Sequence, residues 1–382
     1  MHPIDPSKLL FTPGPLTTSS KVKGAMMRDL GSLDSDFLAI VCKIRTRLLE
    51  LGPYPCEDYE CILMQGSGTY VVESVISSVI PRDGKLLVLV NGAYGRRIAQ
   101  TARVHGIALE IHEIAENRKF TPERVAEHLA SFSGITHVAV VHCETTSGIL
   151  NQIEEIGHVV HASGATYIVD AMSSFGAIPI DMAGSHIDFL ISSANKCIEG
   201  VPGFGFVIAL RHALDSAKGH ARTLSLDLYD QWASMEANGH FRFTPPTHTI
   251  LAFEQALNEL DEEGGAAARG ERYRQNHIAL CRGMKSLGFE IYLAEEDQSF
   301  IITSFRYPSS PAFRFAEFYE RLWKLGFAIY PGKLSYESCF RIGTVGRITT
   351  VEIEALLAII PQVLCEMGVP SLSEAVEEQS LI

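Results

Sequence analysis

Four short stretches of this chain carry side chains that could do chemistry together, and each stands at the end of an apolar run or inside one. Lys196 ends such a run in Ser192-Ser193-Ala194-Asn195-Lys196-Cys197, with small residues around it and Gly200-Val201-Pro202-Gly203 beyond. A lysine is ordinarily a solvated surface residue. At the end of a buried strand its amine loses solvation, its pKa falls, and it becomes a nucleophile toward a carbonyl. Asp170 closes Thr166-Tyr167-Ile168-Val169-Asp170. A carboxylate there can cap the segment that follows, or it can keep a pyridine nitrogen protonated so that the ring accepts electrons. Gln65-Gly66-Ser67-Gly68-Thr69 lies between a strand-like and a helix-like segment, where small residues let backbone N–H groups approach a phosphate. It lacks the third glycine of a dinucleotide fingerprint and the lysine of a P-loop, and most turns of this kind bind nothing. Arg341 stands among apolar neighbours in Cys339-Phe340-Arg341-Ile342-Gly343. A buried guanidinium must be paired, and a two-pronged anion is its natural partner.

The elements that would hold these residues can be read from the apolar pattern. Strands are predicted at Cys61–Gln65, Lys85–Val90, Ile107–Ile114, His137–His142, Ala165–Asp170 and Ile187–Ser192. Helices are predicted at Tyr70–Ile80, from Asn91-Gly92 to His105, at Pro122–Ser131 and at Ile153–Ala162. The strands are continuous apolar runs rather than alternating ones, so the sheet should be buried on both faces, mainly parallel and flanked by helices. That is an α/β, three-layer architecture, and open sheets of this kind bind ligands at the carboxyl ends of their strands. Beyond Leu257 the texture changes. A helical region from Leu251 to Leu287 breaks at Gly264-Gly265, and strands follow at Phe289–Leu293, Phe300–Phe305, Phe327–Tyr330 and Cys339–Ile342. Helices are expected at Phe315–Leu325 and Thr350–Met367. The expected organisation is an arm at 1–20, a large α/β domain at 21–255, a small C-terminal α/β domain at 256–370 and an acidic tail at 371–382. Thr12-Pro13-Gly14-Pro15 cannot sit inside a helix, which marks the arm.

Composition narrows the function classes. A formal charge of −13 over 382 residues argues against nucleic acid as a partner, since phosphate backbones call for a dense basic surface. No apolar run reaches the roughly 18 residues of a membrane span, and the first residues lack the basic start and apolar stretch of a secretory signal. The eight cysteines are scattered and fit neither a disulfide framework nor a paired zinc site. They read as reduced thiols in a cytoplasmic protein, and no metal site is expected.

A phosphate cradle, a strand-end acid, a strand-end lysine and a late buried arginine are together the parts of a fold-type I pyridoxal-phosphate enzyme, and here the chain resembles the class V aminotransferases. The resemblance runs from Leu10 to about Met367. It is carried by FTPGPLTTS (11–19), QGSGTY (65–70), NGAYG (91–95), HCETTSG (142–148), TYIVDAMSSFG (166–176), FTPPTHT (243–249) and FRIGTVG (340–346). Two further blocks, SANKCIEGVPGFGFV (193–207) and SLDLYDQW (225–232), resemble the branch of that family that acts on phosphonates.

The resemblance implies a role for each site residue. Lys196 would carry pyridoxal 5'-phosphate as a Schiff base and move the proton, and Asp170 would pair with the ring nitrogen. Ser67, Gly68 and Thr69 would hold the phosphate, joined by Thr244 from the other subunit of a homodimer. Tyr94 would stack on the ring, Thr145 would hydrogen-bond its hydroxyl, and Ser193 and Asn195 would line the same wall. Arg341 would meet the acidic group of the substrate, and the arm at Thr12–Pro15, with Thr12 and Gly14, would close the pocket. The implied reaction passes the amino group of 2-aminoethylphosphonate to pyruvate, giving phosphonoacetaldehyde and L-alanine, in two half-reactions through a pyridoxamine form. Nothing in the bare physics selects a phosphonate over another anion. Another class V aminotransferase, such as one acting on alanine and glyoxylate, would share every catalytic residue, and a non-catalytic binding protein could keep the fold. A cysteine desulfurase would need a cysteine on a mobile loop, whereas Cys339 stands two residues before Arg341 in an apparent strand.

Overall fold

The computed structural model describes residues 8–52 and 54–370. The first seven residues of the expected arm and the whole of the expected tail at 371–382 lie outside the described residues.

A seven-stranded sheet dominates the fold. Its order is Tyr59–Gln65, Phe204–Leu210, Phe189–Ser193, Thr166–Asp170, Ile135–Val141, Lys85–Val90 and Ala108–Glu113. Six strands run the same way, and Phe204–Leu210 alone is antiparallel to both its neighbours. The strand Phe189–Ser193 is buried at every position, and Lys85–Val90 and Thr166–Asp170 at every position but the first. Both faces of the sheet are therefore covered, as the unbroken apolar runs require. Gly68–Val79, Ala93–Val104 and Ile153–Ala162 are among the helices packed on it.

Three antiparallel strands, in the order Ile302–Arg306, Cys339–Gly343, Tyr330–Pro331, form a second sheet. The packing follows this division. One apolar core collects residues from Val22 to Leu260, and a second collects Phe11 and residues from Leu280 to Val369. A smaller cluster that includes Leu16, Cys143, Cys197, Tyr273 and Val345 draws on both ends of the chain. Phe11 joins the second core because Leu9–Leu10 pairs in parallel with Phe327–Ala328, so the arm is stitched to the C-terminal part from its first described residues.

The predicted elements are largely present, with Pro122–Ser131 and Ile153–Ala162 at their expected bounds. The long helical region does break where two glycines fall. Gly264 takes φ +105° and caps Thr247–Glu263, a left-handed conformation costly for any residue with a Cβ. Phe289–Leu293 is not a strand: a single bridge joins Ile291 to Phe305, because Phe289 is still bonded back to Met284 at the preceding helix end. The helices Ser35–Leu49 and Leu228–Asn238 and the strand Phe204–Leu210 stand beyond the elements predicted above. Gly205 and the Gly200–Gly203 approach interrupt the last of these, and glycine inside a strand weakens its signal.

Candidate active site

Because six strands point the same way, Gln65, Asp170 and Ser193 emerge at one edge of the sheet. A cavity of about 270 Å³ opens there, lined by Pro15, Ser67, Gly68, Thr69, Tyr94, Arg97, Asp170, Met172, Ser193, Asn195 and Lys196 among others. Eight of the residues singled out from sequence thus meet in one place: Ser67, Gly68, Thr69, Tyr94, Asp170, Ser193, Asn195 and Lys196.

One wall is the start of the helix Gly68–Val79. Ser67 is its N-cap with extended backbone, yet the Ser67 hydroxyl makes no capping bond. The first turn therefore offers unsatisfied N–H groups, partial positive charge and an uncommitted hydroxyl to the cavity. A Cβ on Gly68 would lie 2.4 Å from the Met172 sulfur, so a larger residue there would have to push that flexible side chain aside. Arg97, one turn into the helix Ala93–Val104, donates from Nη1 to the Thr69 hydroxyl at 3.2 Å.

Across the cavity stand the acid and the amine. Asp170 is 5% exposed and accepts the Met172 N–H at 2.9 Å. Burial pushes its carboxyl up to about 6, against the pull of that N–H and the cations Lys196 and Arg97. Burial likewise holds the Lys196 amine below the ordinary lysine range, and Tyr94, Cys197 and Asp170 oppose it. The amine donates to the Pro13 carbonyl at 2.9 Å. Its loop is tied at both ends: Ala194 N–H donates to Phe204 O at 3.2 Å, Gly200 N–H to Ala194 O at 2.9 Å, and Gly66 N–H to Gly203 O at 2.9 Å. Ser193 and Asn195 bond to each other at 3.2 Å along the wall.

Other expected residues stand apart from the cavity lining. Arg341 is 1% exposed; its Nε donates to Pro331 O at 2.9 Å and its Nη1 to Thr145 O at 2.6 Å. No carboxylate among the described residues pairs with it, and burial lowers its pKa. A buried cation held only by carbonyl dipoles is short of an anion. Thr145 is buried and holds Arg341 through its carbonyl, and its hydroxyl bonds to none of the described residues. Thr12 is buried and bonded to the Pro15 carbonyl. Gly14, at φ +122°, leaves room for nothing more, since a Cβ would sit 2.9 Å from Lys196 Cδ. Thr244 is exposed, and its carbonyl accepts Gln65 Nε2 of the same chain at 3.3 Å.

The structure adds residues that the sequence reading passed over. Arg97 carries no local signal in the sequence that sets it apart from other arginines. Glu144 is fully buried and accepts the N–H groups of Tyr94 and Gly95 at 3.1 and 3.3 Å and the Thr146 hydroxyl at 2.7 Å. It therefore fixes the helix start that carries Tyr94. The one available signal was its place in HCETTSG beside Thr145. Burial also pushes the Cys143 and Cys197 thiols up to about 12 and raises Cys339, and Cys339 lies buried in the strand Cys339–Gly343 rather than on the mobile loop that a desulfurase nucleophile needs.

Residues 17–319 match the family model described as Aminotransferase class-V. The chain belongs to the class V aminotransferases. Within that family it is 52% identical to a 2-aminoethylphosphonate–pyruvate transaminase of Salmonella heidelberg over 354 residues, covering 92% of this chain and 96% of the relative. It is 53% identical to the same-named protein of Syntrophobacter fumaroxidans over 350 residues, covering 91% and 94%. Among solved structures, pyridoxamine–pyruvate aminotransferase from Mesorhizobium loti superposes with a TM-score of 0.85 at 24% identity, covering 98% of this chain and 97% of that one. Ureidoglycine–glyoxylate aminotransferase from Bacillus subtilis gives 0.86 at 21% identity, covering 99% of each. These likenesses fix the fold as that of the type I aminotransferases. Class V aminotransferases depend on pyridoxal 5'-phosphate. The residues present fit that group: an uncommitted Ser67 hydroxyl at a helix start suits a phosphate, the cramped Gly68 leaves backbone N–H groups bare, and a buried carboxyl and a desolvated amine line the space between.

Proposed function

We propose that this protein is a pyridoxal-phosphate transaminase that passes the amino group of 2-aminoethylphosphonate to pyruvate, yielding phosphonoacetaldehyde and L-alanine. What carries the substrate reading is 52–53% identity over more than nine-tenths of the chain to transaminases of that name. A buried Arg341 lacking a carboxylate partner is the complement that an acid-bearing substrate needs.

When bound, the cofactor supplies an aldehyde and an electron-accepting ring. Ser67, the backbone of Gly68 and Thr69, and Arg97 would hold its phosphate. Asp170 would keep the ring nitrogen protonated, the pyridinium in turn favouring the ionised carboxylate. Lys196 Nζ, made less basic by burial, would form the covalent link and then take and return the proton on the substrate carbon that bears nitrogen. Glu144 would orient Tyr94 against the ring through the two N–H groups it accepts. Arg341 would present its fork to the phosphonate in one half-reaction and to the pyruvate carboxylate in the other. Thr12 and Gly14, in the arm beside Lys196, would close the pocket.

The protein would work as a homodimer, with Thr244 completing the partner's phosphate site. Supporting this, Tyr70 and Phe243 are exposed beside Gln65, and Leu224 is bridged to the same segment by Arg242, so an apolar patch borders the cavity mouth. No helix among the described residues is long and apolar enough to cross a membrane, and all eight cysteines are unpaired, which suits a reducing cytoplasm. The deciding assay is L-alanine formation from 2-aminoethylphosphonate and pyruvate, run beside a panel of other amino donors and glyoxylate. Turnover of the panel without turnover of the phosphonate would reassign the enzyme within its family.

A further inference from the structure

If the substrates are those proposed above, the enzyme must bind two acid groups that differ in charge. A phosphonate, like a phosphate monoester, takes a second negative charge near neutral pH, whereas a carboxylate carries only one. Arg341 supplies one positive charge. Its Nε and Nη1 are committed to Pro331 O and Thr145 O, and Nη2 donates to none of the described residues.

Two residues beyond Pro331, the chain presents Lys333. Its ammonium is exposed and forms no ion pair with any described residue. It lies over the Tyr94 ring, 6.0 Å from the centroid, on the ring that Arg97 approaches at 5.0 Å. Tyr94 lines the cavity that holds Lys196. The turn that carries Lys333 is fastened on both sides. Gly332 N–H donates to Cys339 O at 2.9 Å. Ser335 bonds Glu116 through its N–H and its hydroxyl at 2.9 and 3.0 Å. Glu116 is buried and paired at 2.7 Å with Arg96, on the helix that bears Tyr94. A lysine on a loose loop would be a solvated charge and nothing more. This one is held beside the Tyr94 ring, which lines the cavity, by contacts independent of its own side chain.

We infer that Lys333 is the second cation of the acid-group site. Arg341 meets the charge that phosphonate and carboxylate share, and Lys333 meets the charge that only the phosphonate carries. Lys333 thereby sets the preference for a phosphonate donor over a carboxylate one.

The test uses half-reactions of the cofactor-loaded enzyme, followed by its visible spectrum with one amino donor at a time. Wild type, Lys333→Gln and Lys333→Arg are compared with 2-aminoethylphosphonate and with L-alanine. In Lys333→Gln the half-saturating concentration of 2-aminoethylphosphonate should rise on the order of tenfold or more relative to that of L-alanine, the loss expected for one charge-assisted contact. Lys333→Arg should restore most of it. The gap should widen between about pH 6 and pH 8 as the second charge forms. An unchanged ratio in Lys333→Gln overturns the inference, and so does an equal rise for both donors, which would make Lys333 a general anion holder. A wild type that reacts with L-alanine but not with 2-aminoethylphosphonate overturns the substrate reading itself, a failure visible before any variant is made.

Discussion

The Lys196 amine lies 2.9 Å from the carbonyl oxygen of Pro13, a residue 183 positions earlier in the chain. The next residue, Gly14, has its backbone at φ +122° and packs against the same lysine. Gly14→Ala would add a methyl 2.9–3.0 Å from Lys196 Cδ and Nζ and 2.8 Å from Asn195 O, at a φ that alanine resists. The amine should be pushed off its line, with a loss of about a hundredfold in kcat. Borohydride reduction followed by mass analysis should show less cofactor captured on Lys196. Full capture with normal kcat would mean that the arm yields.

Asp170 links pH to stability, and in its proposed role to catalysis. Its folded pKa of about 6 stands above the 3.8 of a free aspartate. The folded chain therefore keeps a proton that the unfolded chain releases between those values. Stability from this group is fully present below about pH 4 and is lost as pH rises through about 6, at most about 3 kcal/mol. In cofactor-free protein, Asp170→Asn should flatten that slope and raise the denaturation midpoint above pH 6. The loaded variant should lose tenfold to a hundredfold or more in rate, roughly the worth of a charge-assisted hydrogen bond before any electronic effect. A near-normal rate would remove Asp170 from the ring nitrogen.

Arg341→Lys keeps the charge but not the planar fork that donates to two carbonyls at once. We expect KM to rise for 2-aminoethylphosphonate and for pyruvate together, by about tenfold or more, with the bound-cofactor spectrum unchanged. Unchanged constants beside a lowered melting temperature would make Arg341 a structural cation and put the anion site elsewhere.

Thr244 is exposed in its own chain and outside the cavity lining, so any phosphate it holds belongs to a neighbour. Thr244→Ala should release cofactor several-fold more readily on dilution, because ligand and assembly are linked by mass action. Sedimentation with cofactor absorbance reads both at once. A monomer that stays fully loaded and active would contradict the shared site.

Lys196 and Asp170 were legible because each closes an apolar run, and the parallel sheet carries such ends to one edge. The Gly66–Gly68 turn was legible for the same reason from the helix side. Arg97 and Glu144 were not, because their neighbours along the chain are ordinary. Arg97 meets Thr69 only after two helices pack, and Glu144 meets Tyr94 across 50 residues of chain. The false strand at Phe289–Leu293 fails similarly: an apolar run shows that a segment is buried and leaves open what it pairs with. The antiparallel Phe204–Leu210 carries its signal in partners rather than in pattern, since Tyr59–Gln65 on one side and Phe189–Ser193 on the other decide its direction.

That reversed strand also determines where the chain tolerates being opened. Since Phe204 starts at the edge where Ser193 stops, residues 194–203 form a loop closed by the sheet at both ends, and Lys196 rides inside it. A break at the exposed turn Ser133-Gly134 would free only surface backbone. A break between Cys197 and Gly203 would leave both strands paired and every side chain present, yet the segment bearing the amine would become a dangling end. Its ordering would then have to be regained against chain entropy each time the site assembled. With Lys196 in its proposed role, the covalent continuity of that loop would itself be part of the catalytic apparatus.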